Sequence, residues 1–287
     1  MIKEIKLSFM LSNNLGDGVY ISPLFKSDDI RVKLFLKPDQ LGKAFYQLYK
    51  RDCDIEFYDT YDDMKKDHPD AIESHDAVKK SNILSSPLGT INNKTKHIPR
   101  LLLDYFGLEE IDSFPKINVH FRQKVWACNF IEEFKDPIAI LPGNCGSGER
   151  KEDNFFAVYR TPPFNFLQEI VDKYSGKHDF LQFGVSPNFY REGYSNFHPL
   201  NGVIKLLDLP IDKLAALYSQ IRKMISGDTG DCHLMLAVGG KANILVPDND
   251  DNGYSYQYLH YPKEQWRNRV RYINFKDMSL ENVINYT

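Results

Sequence analysis

At 287 residues, with 42% hydrophobic and 26% charged residues, 19 Phe and 17 Tyr, the chain suits two modest domains with well-filled cores and excludes general disorder. The net charge of −3 is evenly spread: residues 1–135 hold 20 Lys+Arg against 21 Asp+Glu, and the remainder 16 against 18, so neither half is a basic nucleic-acid-binding domain. No apolar run approaches the roughly 20 residues of a membrane span. MIKEIKLSFM is too short and too charged for a secretory signal. The four cysteines form no CxxC pair and the eight histidines no HExxH, which argues against a zinc module or a disulfide framework. Reduced thiols and a cytoplasmic protein are expected.

The first half reads as strand–helix units. IKLSFM predicts a buried strand, and VYISPLF a helix from about residue 18 with Pro23 in its first turn. RVKLFL (31–36) and CDIEFY (53–58) predict strands around a helix that starts at Asp39. Residues 59–96 are polar and read mainly as loop, with a helix around AIESHDAVKK. HIPRLLLDYFGL has helical apolar spacing and ends at Gly107, a candidate C′ glycine. The pattern restarts at PIAILPG (137–143) and continues through FNFLQEIVDKYSG, HDFLQFG, NGVIKLLDL, PIDKLAALYSQIR, KMIS, CHLMLAVGG, KANILVP, VRYINF and SLENVINY. Alternating strands and helices imply parallel sheets with right-handed crossovers. The expectation is two doubly wound α/β domains, 1–135 and 136–287, whose carboxyl sheet edges face across a cleft.

Two strand-to-helix junctions carry the chemistry. In LSNNLGDGVY, Asp17 stands between Gly16 and Gly18, either as an N-cap among turn glycines or as a carboxylate aimed at the carboxyl edge of the sheet. In MISGDTGDCHLMLA, Gly227–Gly230 turn a strand into a helix whose free N–H groups and dipole suit a phosphate, with His233 within reach. The competing reading makes Asp228 or Thr229 an N-cap and His233 a buried helix residue. Arg267, Arg269 and Arg271 alternate along one strand, as a protected edge or as a phosphate grip.

The stretch SGDTGDCHLMLAVGG resembles the D-[ST]-G-x-x-H-L-x-x-A segment of heptosyltransferase-type glycosyltransferases. NNLGDGVYISPLF is similar to the same family's L-G-D signature, PIAILPGN to the opening strand of its donor domain, and YRTPPFNFLQEI to its basic-x-x-Pro helix start. The resemblance spans most of the chain in the right order. It implies a GT-B fold and inverting sugar transfer from a nucleotide-diphosphate sugar, without a metal or other cofactor. It assigns Asp17 as general base, Gly16 and Gly18 to the acceptor-side loop, and Gly143, Asn144, Arg160, Asp228, Thr229, Gly230 and His233 to the donor. In that role the two glycines leave room around the carboxylate for acceptor and donor.

The chain departs from the family in the long insertion between Gly143 and Arg160, where Arg150 and Lys151 offer alternative phosphate contacts. The acceptor stays open among a glycan, a glycolipid and a small molecule. A hydroxylated base in DNA is the alternative, with Lys94, Lys96 and Arg100 as candidate contacts, and a non-catalytic nucleotide-sugar-binding protein is the other.

Overall fold

The computed structural model describes residues 3–11, 15–74, 76–77, 98–108, 110–142, 161–186, 199–221, 223–246 and 268–285. The chain forms two compact units, the first covering Met1–Ile117 and the second beginning at Asn118.

In the first unit, β1 (Lys3–Ser8), β2 (Ile30–Leu36), β3 (Asp54–Phe57) and β4 (Ile72–Glu73) form a parallel sheet in the order β3-β2-β1-β4. Leu7, Val32, Leu34, Phe35 and Leu36 are buried, as expected of parallel strands covered on both faces. After β1 comes α1 (Leu15–Tyr20), then a 3-10 turn (Ser22–Lys26) that takes Pro23 at its start. α2 (Gln40–Tyr49) begins where Asp39 accepts the Gly42 N–H at 2.8 Å. α3 (Tyr61–Asp67), capped by Thr60, lies in the stretch expected to be loop. At Ile72–Glu73 the chain forms β4 beside β1, and the helix expected around AIESHDAVKK starts directly after it, with Ser74, Asp76 and Ala77 helical. α4 (Ile98–Tyr105) closes as predicted: Gly107 takes φ +64°, and the Leu108 N–H reaches the Leu103 carbonyl at 2.9 Å.

The second unit opens with α5 (Phe121–Ile131), which packs on α7 (Ile211–Ile221). Gln123 donates to Asp212 at 2.7 Å, and the Lys213 ammonium lies 5.1 Å from the Trp126 ring centre. The remaining elements are β5 (Ile138–Leu141), α6 (Phe164–Tyr174), β6 (Phe180–Gly184), β7 (Ile204–Leu207), β8 (Lys223–Ser226), α8 (Gly230–Ala237), β9 (Lys241–Val246), β10 (Val270–Asn274) and α9 (Leu280–Ile284). All six strands are parallel, in the order β10-β9-β8-β5-β6-β7. Ile138, Ile140, Leu167, Ile170, Phe180 and Ile225 fill the core between sheet and helices.

This is the doubly wound order, with the chain reversing direction across the sheet between β5 and β8. In the first sheet the corresponding reversal lies between β1 and β4. Open α/β sheets bind ligands outside the carboxyl ends of strands at such points. Among the described residues, no helix is long and apolar enough to cross a membrane.

Candidate functional site

The second sheet's switch point is built by the end of β8. Ser226 pairs in register with Leu141 of β5, and its hydroxyl donates to the Gly227 carbonyl at 2.8 Å. The Ser226 and Thr229 hydroxyls are 3.2 Å apart. Thr229 is the N-cap of α8: its backbone is extended and its hydroxyl accepts the Cys232 N–H at 3.4 Å. That choice leaves Asp228 to another task. Its Oδ1 lies 3.1 Å from His233 Nε2, both side chains being almost wholly buried. A carboxylate against one ring nitrogen fixes both the tautomer and the plane of an imidazole. The predicted residues Asp228, Thr229, Gly230 and His233 therefore come together in one turn and the helix start it feeds. The N–H groups of Gly230 and Asp231 have no acceptor within the helix, and the helix dipole is positive at that end. Asp231 points elsewhere, accepting the Tyr218 hydroxyl at 2.9 Å, and desolvation raises its pKa while that hydrogen bond opposes the shift.

Asp228, Cys232 and His233 also place an oxygen, a sulfur and a ring nitrogen within 4.8 Å of one another, a donor set able to hold a cation. The Asp228 and His233 donor atoms are engaged with each other, and Cys232 Sγ donates to the Thr229 carbonyl at 3.0 Å. Burial pushes the Cys232 thiol well above its ordinary range, and Asp228 adds to the shift. A cation would have to ionise that thiol and would sit at the positive end of α8.

The first sheet's switch point carries the Gly-Asp-Gly segment. The backbone places Asp17 inside the first turn of α1, so it does not occupy the N-cap position ahead of the helix. Its side chain lies outside the described part of the chain. Gly16 is half-buried in the same turn. Gly18 has a packing reason to lack a side chain: a Cβ there would overlap the buried ring of Phe45 on α2. One turn along α2, the Tyr49 hydroxyl donates to the Gly18 carbonyl at 2.6 Å. The room that glycine provides at residue 18 is thus taken up by α2. At the end of β4 sits Glu73, buried and unremarked by sequence reasoning; its partners are Ser8 and Leu11.

Gly143, Asn144, Arg150, Lys151, Arg160, Lys94, Lys96 and Arg267 lie outside the described residues. Of the candidate contact arginines, Arg100, Arg269 and Arg271 are described and have local partners. Arg100 donates to the Leu108 and Ile111 carbonyls beyond α4, Arg269 to the Leu236 carbonyl of α8, and Arg271 to the Asn282 carbonyl of α9. Arginine at helix ends of this kind satisfies orphan carbonyls and the negative pole of the dipole. β10 is the edge of the sheet; Arg271 on it is tied to α9, whereas Arg269 lies in the turn before the strand and is tied to α8, so the two do not alternate along one strand as expected.

No protein-family model matches the sequence, and no curated protein matches it. Solved structures match over nearly the full chain. A glycosyl transferase family 9 structure from Veillonella parvula DSM 2008 superposes with a TM-score of 0.60 at 12% identity, covering 99% of this chain and 95% of that one. E. coli heptosyltransferase WaaC, solved with ADP, gives a TM-score of 0.56 at 11% identity over 99% and 98%. The iron-containing dodecameric glycosyltransferase TibC from enterotoxigenic E. coli H10407 gives 0.51 at 13% identity, over 91% of this chain and 62% of that one. With its two parallel α/β sheets, the chain has the GT-B fold of these glycosyltransferases.

Proposed function

We propose that the protein is an inverting, metal-independent glycosyltransferase that moves a sugar from a nucleotide-diphosphate sugar to the hydroxyl of a glycan, glycolipid or small molecule. The observation that carries this reading is the β8–α8 junction. There a Gly-Asp-Thr-Gly turn, a helix start and an imidazole held by a carboxylate meet at the switch point of a doubly wound sheet. A diphosphate leaving group is the ligand that such an arrangement stabilises as its charge develops.

In the proposed reaction Asp17 takes the proton of the acceptor hydroxyl. The acceptor oxygen bonds to the anomeric carbon from the face opposite the diphosphate, and the bond from that carbon to the diphosphate oxygen breaks. The second unit, 136–287 in the sequence division, holds the donor. Thr229 and Gly230 shape the turn, His233 meets the departing charge, and Asp228 orients His233. Gly143, Asn144 and Arg160 join the donor site by the family resemblance, with Arg150 or Lys151 able to replace Arg160. Cys53, Cys128 and Cys232 are free thiols, in keeping with a reducing cytoplasmic setting. DNA as acceptor gains no support from Arg100, Arg269 and Arg271, whose guanidinium groups bind backbone carbonyls.

The test is calorimetric titration with ADP, UDP, GDP, CDP and TDP, with and without magnesium, on the wild type and on His233→Ala. One diphosphate is expected to bind selectively and independently of metal. His233→Ala should weaken it by about 10- to 100-fold, the scale of one hydrogen bond to a charged group. No diphosphate binding, or equal affinity in the variant, overturns the donor assignment.

A further inference from the structure

The end of β1 is held by a carboxylate that sequence reading passes over. Glu73 is only 3% exposed, at the carboxyl end of β4, directly opposite Ser8 in the parallel register. Ser8, wholly buried, donates its hydroxyl proton to Glu73 Oε2 at 2.6 Å, and the Leu11 N–H reaches Glu73 Oε1 at 3.2 Å. The Met10 N–H in turn donates to Ser8 Oγ at 3.2 Å, and the Phe9 N–H to the Phe35 carbonyl at 3.0 Å. Three successive backbone donors beyond β1 are therefore engaged, one by β2, one by Ser8 and one by Glu73. Met10 is also packed in a cluster with Phe35, Met64 and Ala71.

A buried carboxyl group is costly unless its oxygens are hydrogen-bonded, and bonds to it are the strong, short kind. Placing one at this point fixes the direction in which the chain leaves the sheet. Six residues after Leu11 the chain reaches Asp17, and the next carbonyl, that of Gly18, is held by the Tyr49 hydroxyl. The described residues on either side of the proposed base are thus held, Leu11 by Glu73 and Gly18 by Tyr49.

We propose that Glu73 is a positioning residue for sugar transfer: through Ser8 and Leu11 it sets the exit of the β1–α1 segment and so the placement of Asp17. This rests on the transferase reading above for its chemistry, but the anchoring itself does not. An error of about 1 Å in placing a reacting group can cost on the order of 100-fold in rate.

The experiment compares wild type, Glu73→Ala, Glu73→Gln and Ser8→Ala by hydrogen exchange of the free protein and by ADP release from ADP-heptose as the probe donor. In Glu73→Ala, exchange should rise by about tenfold or more in peptides spanning residues 9–20 and stay unchanged elsewhere. Turnover should fall by about 10- to 100-fold with the donor KM unchanged. Glu73→Gln can still accept from Leu11 and can donate to Ser8 Oγ, so it should recover most of both. Ser8→Ala, a smaller change that spares the fold, should show a weaker form of the same pattern. Wild-type exchange in 9–20 for Glu73→Ala, a rise spread over the whole unit, or normal turnover in a loosened segment each overturn the proposal. If the wild type releases no ADP, that result counts against ADP-heptose as donor, and exchange in 9–20 alone decides whether Glu73 holds the segment.

Discussion

The two sheets solve the same problem in different ways. At each switch point a strand ends and a Gly-Asp step follows, ahead of the helix after β8 and inside the first turn of α1 after β1. After β8 the turn is closed by its own neighbours: Thr229 caps the helix, Ser226 steadies Thr229, and Asp228 takes His233. After β1 the support is remote. Glu73 lies 65 residues on in the chain from Ser8, and Tyr49 lies 31 from Gly18. A short-range turn can be recognised from eight consecutive letters. A turn held by distant residues shows only its middle. The same two-residue signal, Gly-Asp, therefore serves an imidazole clamp in one place and the first turn of a helix in the other.

The largest expected effect separates these two aspartates chemically. Asp17→Asn should preserve ADP binding while lowering turnover by about 10²- to 10⁴-fold, the usual contribution of a general base. Steady-state kinetics beside calorimetry checks this, and near-normal turnover would return Asp17 to a structural role. A second substitution tests whether the first turn depends on packing. Gly18→Ala puts a methyl group against the Phe45 ring and should cost about 1–3 kcal/mol of stability in denaturant unfolding. An unchanged midpoint would mean that α1 and α2 part without penalty. The smallest effect lies at α8. The folded-state pKa of Asp231 is raised, chiefly by desolvation, so its ionisation at neutral pH costs stability that is intact only where the unfolded chain is also protonated. Asp231→Asn keeps an acceptor for Tyr218 and should melt above the wild type at pH 7. That gain should shrink as the pH falls towards about 4, where an unfolded aspartate protonates. Thermal melts across that range check the sign; a gain that persists in acid would place its cause outside Asp231 ionisation.

How much of this is legible in the letters depends on where the information lies. β1, β2, β5, β8 and β9 declare themselves as short apolar runs beside turn residues, and α7 by its buried stripe of Ile211, Ala215, Tyr218 and Ile221. α3 buries only Met64 and α5 only Ala127, so neither has an apolar face to read. β4 is two residues long and owes its existence to the place beside β1. That is also why Glu73 stays hidden: in AIESHDAVKK a glutamate looks like a solvated helix residue until the sheet turns it inward. Thr229, Asp228 and His233 are legible as a cluster, whereas their division of labour follows from backbone direction. Gly18 is legible as a needed glycine, and the structure supplies the neighbour that needs it.

In each sheet the strand that comes first in the chain, β1 or β5, ends up in the interior with partners on both sides. β5 at Ile138–Leu141 pairs with β8 at Lys223–Ser226, so the register of Leu141 against Ser226 waits until the chain beyond has been made. Pairings between such distant segments are slow to form, because the entropy of closing the loop is spent before any contact is gained. During synthesis the apolar Ile138-Ala139-Ile140-Leu141 strand is thus among the first parts of the second unit to emerge and among the last to be fully flanked, which makes it the stretch most in need of shelter while the protein is being born.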